Sequence, residues 1–171
     1  MLDSDKNSKI QPEDVRVNLD DGTAYYNLTH TGKIGGLYVG AFRFHCSLTP
    51  LQYLEADRDY RNLLGENASL ATTHADNIAY ALAQLKQRVL EAPPFWNSAG
   101  GRFGGGHIKD HDLIDLLLEA AVQAEMNYRK ALEERHADAL KRLQAQVEKM
   151  RGVNNKDITT EQAALNEKEE E

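Results

Sequence analysis

The segment 107–112 holds the residues whose types and spacing most suggest metal chemistry in this chain. It contains His107, Asp110, His111 and Asp112, and imidazole and carboxylate groups are common ligands of zinc, iron and manganese. We expect His107 to precede a helix that begins near Asp110, so it would not share a helix face with His111. Aspartates are also favoured at a helix N-terminus, where they compensate the helix dipole. The sequence therefore predicts a helix start here, with no metal site and no cofactor.

An enzymatic alternative comes from the doublet His111-Asp112, which resembles the histidine–aspartate doublet of a family of metal-dependent phosphohydrolases. The resemblance implies an upstream histidine and a downstream aspartate on neighbouring helices. His74 and either Asp115 or Asp138 are the candidates, but no spacing singles them out. A metal-dependent phosphohydrolase therefore stays as the competing hypothesis, and we predict no catalytic residue.

A glycine-rich loop precedes this helix and suggests phosphate binding at first sight. Gly100 and Gly105 have the spacing of the first two glycines of a P-loop, but Gly106 stands where the lysine is required. Lys109 comes three residues too late, and no strand is predicted before the loop. The loop is therefore interpreted as a flexible connector.

Nucleophilic catalysis has no support in the sequence either. Cys46 is the only cysteine, which excludes an intrachain disulfide and a cysteine-based zinc site. It falls on the apolar face of a predicted strand, and no histidine shares that face, which is typical of a buried structural thiol. Ser47 lacks the glycines of a nucleophile elbow. We predict a protein that is not an enzyme.

The composition limits the partners. The 171 residues carry a net charge of −7, which argues against a broad contact with nucleic acid. The most apolar stretch, 113–124, includes Asp115 and Glu119 and is too short to span a bilayer. The N-terminus lacks the basic and apolar regions of a signal peptide. We expect a soluble cytoplasmic protein with neither nucleic acid nor membrane as a partner.

Residues 13–47 have the pattern of a small antiparallel sheet of two to four strands, after a flexible N-terminus at 1–12. Apolar residues alternate with polar ones around Val15 and Val17, and Asp21-Gly22 supplies a turn. A strand is predicted over 37–46, with Phe42, Phe44 and Cys46 on one face.

Two amphipathic helices should follow. The first is predicted over 50–64, with Thr49 as its cap and Pro50 in its first turn. Its predicted buried side consists of Leu51, Tyr53, Leu54, Tyr60, Leu63 and Leu64. The second is predicted over 69–91, where Pro93 and Pro94 follow it. Its stripe of Ile78, Leu82, Leu85 and Val89 is expected to meet the third helix.

The third helix is predicted to be very long. Its first part, 110–128, is apolar on most faces and completes the domain 13–128 as an antiparallel neighbour of the second helix. Its charged continuation, 129–151, should project, and Gly152 should end it. An acidic tail, 152–171, is predicted to be disordered. The expected fold is α+β and mainly helical, with three helices and a small N-terminal antiparallel sheet.

Two groups of residues are candidates for binding a partner protein. The loop contributes aromatic side chains, and the long helix contributes a narrow apolar stripe of the kind found in coiled coils. These candidates are Phe95, Trp96, Phe103, Tyr128, Leu132, Leu143 and Val147. The alternatives are that Trp96 fills the core beneath the loop and that the extension is a solvated helix.

Several phrases within 37–130 resemble small assembly or structural proteins of tailed bacteriophages. The phrases are Phe42-Arg43-Phe44, Leu48-Thr49-Pro50, 56–61, 77–85 and Pro94-Phe95-Trp96. The order of elements looks most like that of tail assembly chaperones. The resemblance implies association with the tape-measure protein and tail-tube subunits in the host cytoplasm, without enzymatic activity. A permanent virion component, such as a head–tail junction, minor capsid or tail protein, is the alternative, and a homo-oligomer through the long helix would suit it.

Overall fold

The computed structural model describes residues 10–97 and 103–166, which form three α-helices and one four-stranded antiparallel sheet. The α+β prediction is confirmed. The elements in chain order are β1 Val15–Asn18, β2 Thr23–Thr31, β3 Leu37–His45, α1 Pro50–Leu64, α2 Thr73–Arg88, β4 Val89–Glu91 and α3 His111–Asn166. Most of the predicted flexible N-terminus lies outside the described residues, and Pro12–Asp14 forms a short 3-10 turn.

The sheet has the strand order β1-β2-β3-β4, and one of its faces is buried. Tyr26 is opposite Val15 on one side and Phe42 on the other, so these side chains share a face. The buried members of this face are Val15, Ala24, Tyr26, Leu28, Phe42, Phe44 and Cys46. The prediction that Phe42, Phe44 and Cys46 share a buried face is therefore confirmed.

The first part of α3 covers this face and completes the core. Leu113, Ile114 and Leu117 are fully buried, as are the small residues Ala120, Ala121 and Ala124. Asp112 lies 3.3 Å from His30 near the end of β2, and the Asn127 amide donates to the Val15 carbonyl of β1 at 3.1 Å. This part of α3 therefore spans the sheet from the β2–β3 loop to β1.

Helix α1 occurs over the predicted residues, but its predicted buried side is wrong. Ala56 and Asp59 are the buried residues of α1, whereas Leu51 and Leu54 are 66% and 68% exposed. Asp59 pairs with Lys86 of α2, and Tyr60 donates to Asp76 of the same helix. Because these contacts orient α1, the outward side carries Leu51 and Leu54, and Tyr53 and Leu63 are also exposed.

Two predictions about α2 are corrected. The helix begins at Thr73 and ends at Arg88, and residues 89–91 form β4 instead of a last helical turn. Pairing of β4 with β3 at Arg43 and Phe44, reinforced by the Arg43–Glu91 ion pair, overrides the helical pattern.

Helices α2 and α3 run parallel to each other, not antiparallel as predicted. His74 contacts His111 at their N-terminal ends, and Arg88 contacts Glu125 further along both. The helices are parallel because the segment that follows β4 passes back along β3. In this segment Pro93 lies beside Gly40, and Phe95 lies against Tyr38. The chain thus returns to the end of the molecule where α2 begins before α3 starts.

Helix α3 does not end at residue 151 but continues to Asn166. A single glycine in a helix interior is only about 1 kcal/mol less favourable than alanine, and no proline follows Gly152. The predicted disordered tail is therefore helical over 152–166, while 167–171 lies outside the described residues. The chain divides into two compact units, Met1–Lys130 and Ala131–Glu171, and α3 contributes to both. Within the described ranges, no helix is both long and apolar enough to cross a bilayer.

Candidate association surface

Trp96, a predicted partner-binding residue, lies in the core and is not available to a partner. Its side chain is 3% exposed and packs edge-on against Phe42, with ring centroids 5.5 Å apart. A Cβ on Gly104 or Gly105 would come within 2.1 Å or 2.5 Å of the indole. These glycines therefore make room for Trp96, which is the alternative role that the sequence suggested for this tryptophan.

The other two aromatic candidates before α3 are half-buried. Phe95 packs against Tyr38 and Phe42, at centroid distances of 5.3 Å and 6.1 Å. The Phe103 ring lies 5.0 Å from the Lys86 ammonium, a cation–π distance, and the same ammonium binds Asp59. Both rings thus contribute to packing within the first unit and are only partly accessible to a partner.

The four candidates on α3 fall into two groups. Tyr128 is half-buried against the core, and Leu132 is also half-buried. Leu143 and Val147 are 58% and 43% exposed, within a stretch, 133–150, in which every residue is exposed. Leu143 and Val147 are therefore the candidates that remain accessible to a partner.

Leu143 and Val147 belong to a continuous apolar seam on the second unit. We define the seam as Leu140, Leu143, Val147 and Met150, which are between 43% and 61% exposed. Their spacing of three, four and three residues places them on one helix face and matches the a and d positions of two heptads. The structure thus presents an apolar ridge that the described chain leaves uncovered.

Most positions beside the seam are uncharged. In the same heptad frame, the flanking e and g positions are Ala137, Ala139, Gln144 and Gln146, and Arg151 takes the e position after Met150. The charged residues Lys141, Arg142, Glu148 and Lys149 occupy b and c positions, away from the seam. Since charges at e and g select or reject partner helices, flanks that are neutral apart from Arg151 place little electrostatic restriction on an apolar partner.

A second apolar surface, which the sequence did not predict, is a groove between α1 and α2. Its volume is about 500 Å³. The residues that line it are all of apolar type: Leu63, Leu64, Leu70, Ala71, Ala75, Ile78, Ala79 and Leu82. The apolar spacing of Ile78 and Leu82 was visible in the sequence, but it was assigned to contact with α3.

The two residues of the histidine–aspartate doublet, His111 and Asp112, contact different neighbours. His111 Nδ1 lies 3.0 Å from His74 Nε2, whereas Asp112 faces His30. Among residues 10–97 and 103–166, no three His, Cys, Asp or Glu side chains are grouped so as to hold a metal ion. The structure therefore brings His74 to His111 but does not assemble the ligand set that the phosphohydrolase hypothesis requires.

Asp110 and Cys46 are buried groups with structural surroundings. Burial raises the pKa of Asp110, but hydrogen bonds from the backbone of Ile34 and Gly35 and from the Tyr38 hydroxyl outweigh this effect and lower the pKa overall. Burial raises the pKa of Cys46 to about 12, so its thiol stays neutral and unreactive.

Comparison with known proteins found no matching family model, no similar curated protein and no similar solved structure.

Proposed function

We propose that this protein is not an enzyme and acts by associating with other proteins through the seam Leu140, Leu143, Val147 and Met150. The observation that carries the proposal is the exposure of four large apolar side chains at heptad spacing. Burying each of them fully would contribute about 1.5–3 kcal/mol before the costs of association are subtracted. A partner helix with its own apolar stripe is the simplest structure that can cover such a ridge.

The role that we propose for this association is that of a tail assembly chaperone of a tailed bacteriophage, acting in the host cytoplasm. The resemblance of residues 37–130 to phage assembly proteins suggests this setting. Its partners would be the hydrophobic tape-measure protein and tail-tube subunits. A chain with an exposed seam and a separate apolar groove has two surfaces suited to holding apolar segments of another protein.

The alternative is a permanent component of the virion, such as a head–tail junction, minor capsid or tail protein. The uncharged flanks at Ala137, Ala139, Gln144 and Gln146 favour this alternative, because two copies can pair there without like-charge repulsion. A metal-dependent phosphohydrolase is not proposed, because Asp112 faces His30 while His111 faces His74.

Mass spectrometry of purified phage particles tests the proposed role. A chaperone should be present in infected cells in complexes with the tape-measure protein and absent from mature particles. Recovery of the protein from mature particles at a fixed ratio to the tail-tube subunit would overturn the chaperone role and support a virion component.

A further inference from the structure

Two histidines from different helices meet at the N-terminal ends of α2 and α3. His74 lies in the first turn of α2, and His111 is the first residue of α3. The Nε2 atom of His74 is 3.0 Å from the Nδ1 atom of His111, with ring centroids 5.2 Å apart and an angle of 37° between the rings. Both residues are exposed, so solvent and ions can reach the pair.

The separation of these two nitrogens suits a shared metal ion. Zinc–imidazole bonds are about 2.0–2.1 Å long, so two nitrogens on one zinc ion are roughly 2.9–3.4 Å apart at angles between octahedral and tetrahedral. In the present contact one ring donates an N–H to the lone pair of the other. On metal binding the donor ring would release that proton to water and take one up at its other nitrogen, so both rings stay neutral. Small ring rotations would then turn both lone pairs towards the ion.

Carboxylates near the pair reduce the repulsion that the N-termini of α2 and α3 exert on a cation. Asp112 and Asp115 lie in the first turns of α3 and offset the positive ends of the two helix dipoles. Asp115 and Asn77 line the cleft between the two helices, one turn beyond His111 and His74 respectively. Asp76 of α2 accepts a hydrogen bond from the Tyr60 hydroxyl, and a carboxylate oxygen of Asp112 lies 3.3 Å from His30 Nε2.

We propose that His74 and His111 form a two-histidine site for a divalent transition-metal ion, which would join α2 to α3. Water supplies the remaining ligands, because the described residues bring no third ligand side chain into the group. The site requires neither the seam nor Asp112, so it is independent of the proposed function and differs from a phosphohydrolase centre.

Calorimetric titration of the full chain with zinc chloride tests this site. Zinc should bind at one ion per chain. Loss of one ligand, by His74→Gln or His111→Gln, should weaken binding by more than the roughly 10–100-fold that loss of a second-shell partner costs. His107→Gln is the matched control, because His107 is an exposed histidine in the segment just before α3. Asp112→Asn should also bind zinc as the wild type does.

Thermal unfolding in the same series provides a second readout. Zinc should raise the Tm of the wild type and of His107→Gln but not that of the two ligand variants, since only a folded chain presents both histidines together. The proposal is overturned if the wild type binds no zinc, or if both glutamine variants bind it as tightly as His107→Gln. Loss of binding in Asp112→Asn would also overturn it and favour the phosphohydrolase ligand set.

Discussion

Trp96 and Asp110 lie in the segment between β4 and α3, and each attaches this segment to the sheet. Trp96 packs beside Phe42, and Asp110 accepts hydrogen bonds from the β2–β3 loop. Both residue types are equally suited to a binding surface and to a closed core. Their burial assigns them to the core, so both residues stabilise the fold instead of forming a binding surface.

Replacing Asp110 by asparagine should lower the free energy of unfolding. Asparagine lacks the negative charge that accepts hydrogen bonds from Ile34, Gly35 and Tyr38. Because the folded pKa lies below the ordinary value of 3.8, the carboxylate stabilises the wild type above that value and ceases to do so as the pH falls through the lowered pKa.

Urea unfolding at neutral and at acidic pH measures this effect. The wild type should lose stability on acidification. Asp110→Asn should lose less, because it has no carboxylate at position 110 that can be protonated. Equal stability of the two proteins at neutral pH would contradict the role assigned to Asp110.

The elements show which parts of the fold are encoded locally. The bounds of α1 were predictable because Thr49 and Pro50 start the helix and Gly65 ends it through contacts within a few residues. The β4 strand and the direction of α3 were not predictable from local patterns. The strand depends on pairing with β3, and the direction of α3 depends on a connection that packs along β3. Both involve contacts between residues more than forty apart in the chain, as at Arg43–Glu91. The exposure of Leu51 likewise follows from contacts of α1 with α2.

The same limit applies to the candidate site. The seam was predictable in part, because Leu143 and Val147 repeat at helical spacing in a charged segment. Which apolar residues stay exposed could not be decided from spacing, since Tyr128 and Leu132 continue the same pattern but are half-buried. The His74–His111 contact arises from the parallel arrangement of α2 and α3, which no local pattern encodes.

The Arg88–Glu125 pair gives a prediction about how α2 and α3 are held together. Arg88 is 5% exposed and binds Glu125 at 2.8 Å, and its Nε and Nη1 atoms have no partner among the described residues. Glu125→Gln should lower the free energy of unfolding by about 3 kcal/mol, because it leaves a buried guanidinium without its counter-charge. Arg88→Met should cost less, since Glu125 keeps its contact with Arg129.

Chemical denaturation of both variants checks this order, with Asp57→Asn as the control. Asp57 pairs with Arg61 on the exposed side of α1, where loss of an ion pair costs roughly 0–1 kcal/mol. A larger loss of unfolding free energy for Arg88→Met than for Glu125→Gln would contradict this order. It would show that groups other than Glu125 stabilise the buried Arg88 guanidinium.

The described residues combine a closed core with apolar surface that they leave exposed. The core joins one face of the sheet to the first part of α3. The described residues do not cover the groove between α1 and α2 or the seam on the second unit. Soluble proteins seldom leave extended apolar patches without a partner, so association is the activity that these two surfaces favour.

Light scattering on three proteins tests the association most directly. They are the wild type, the seam variant Leu143→Glu/Val147→Glu, and the control Ala145→Glu, whose substitution lies on the helix face away from the seam. Each is measured alone over a wide concentration range and after co-expression with the phage tape-measure protein. Because glutamate suits an exposed helix position, neither variant should unfold the chain, and circular dichroism verifies this.

We expect the wild type and Ala145→Glu to form the same defined complex, either with the tape-measure protein or with a second copy, and the seam variant to be a monomer under both conditions. A complex with the tape-measure protein favours the chaperone, and an oligomer of the chain alone favours the virion component. Equal masses for all three proteins under both conditions would contradict association through the seam.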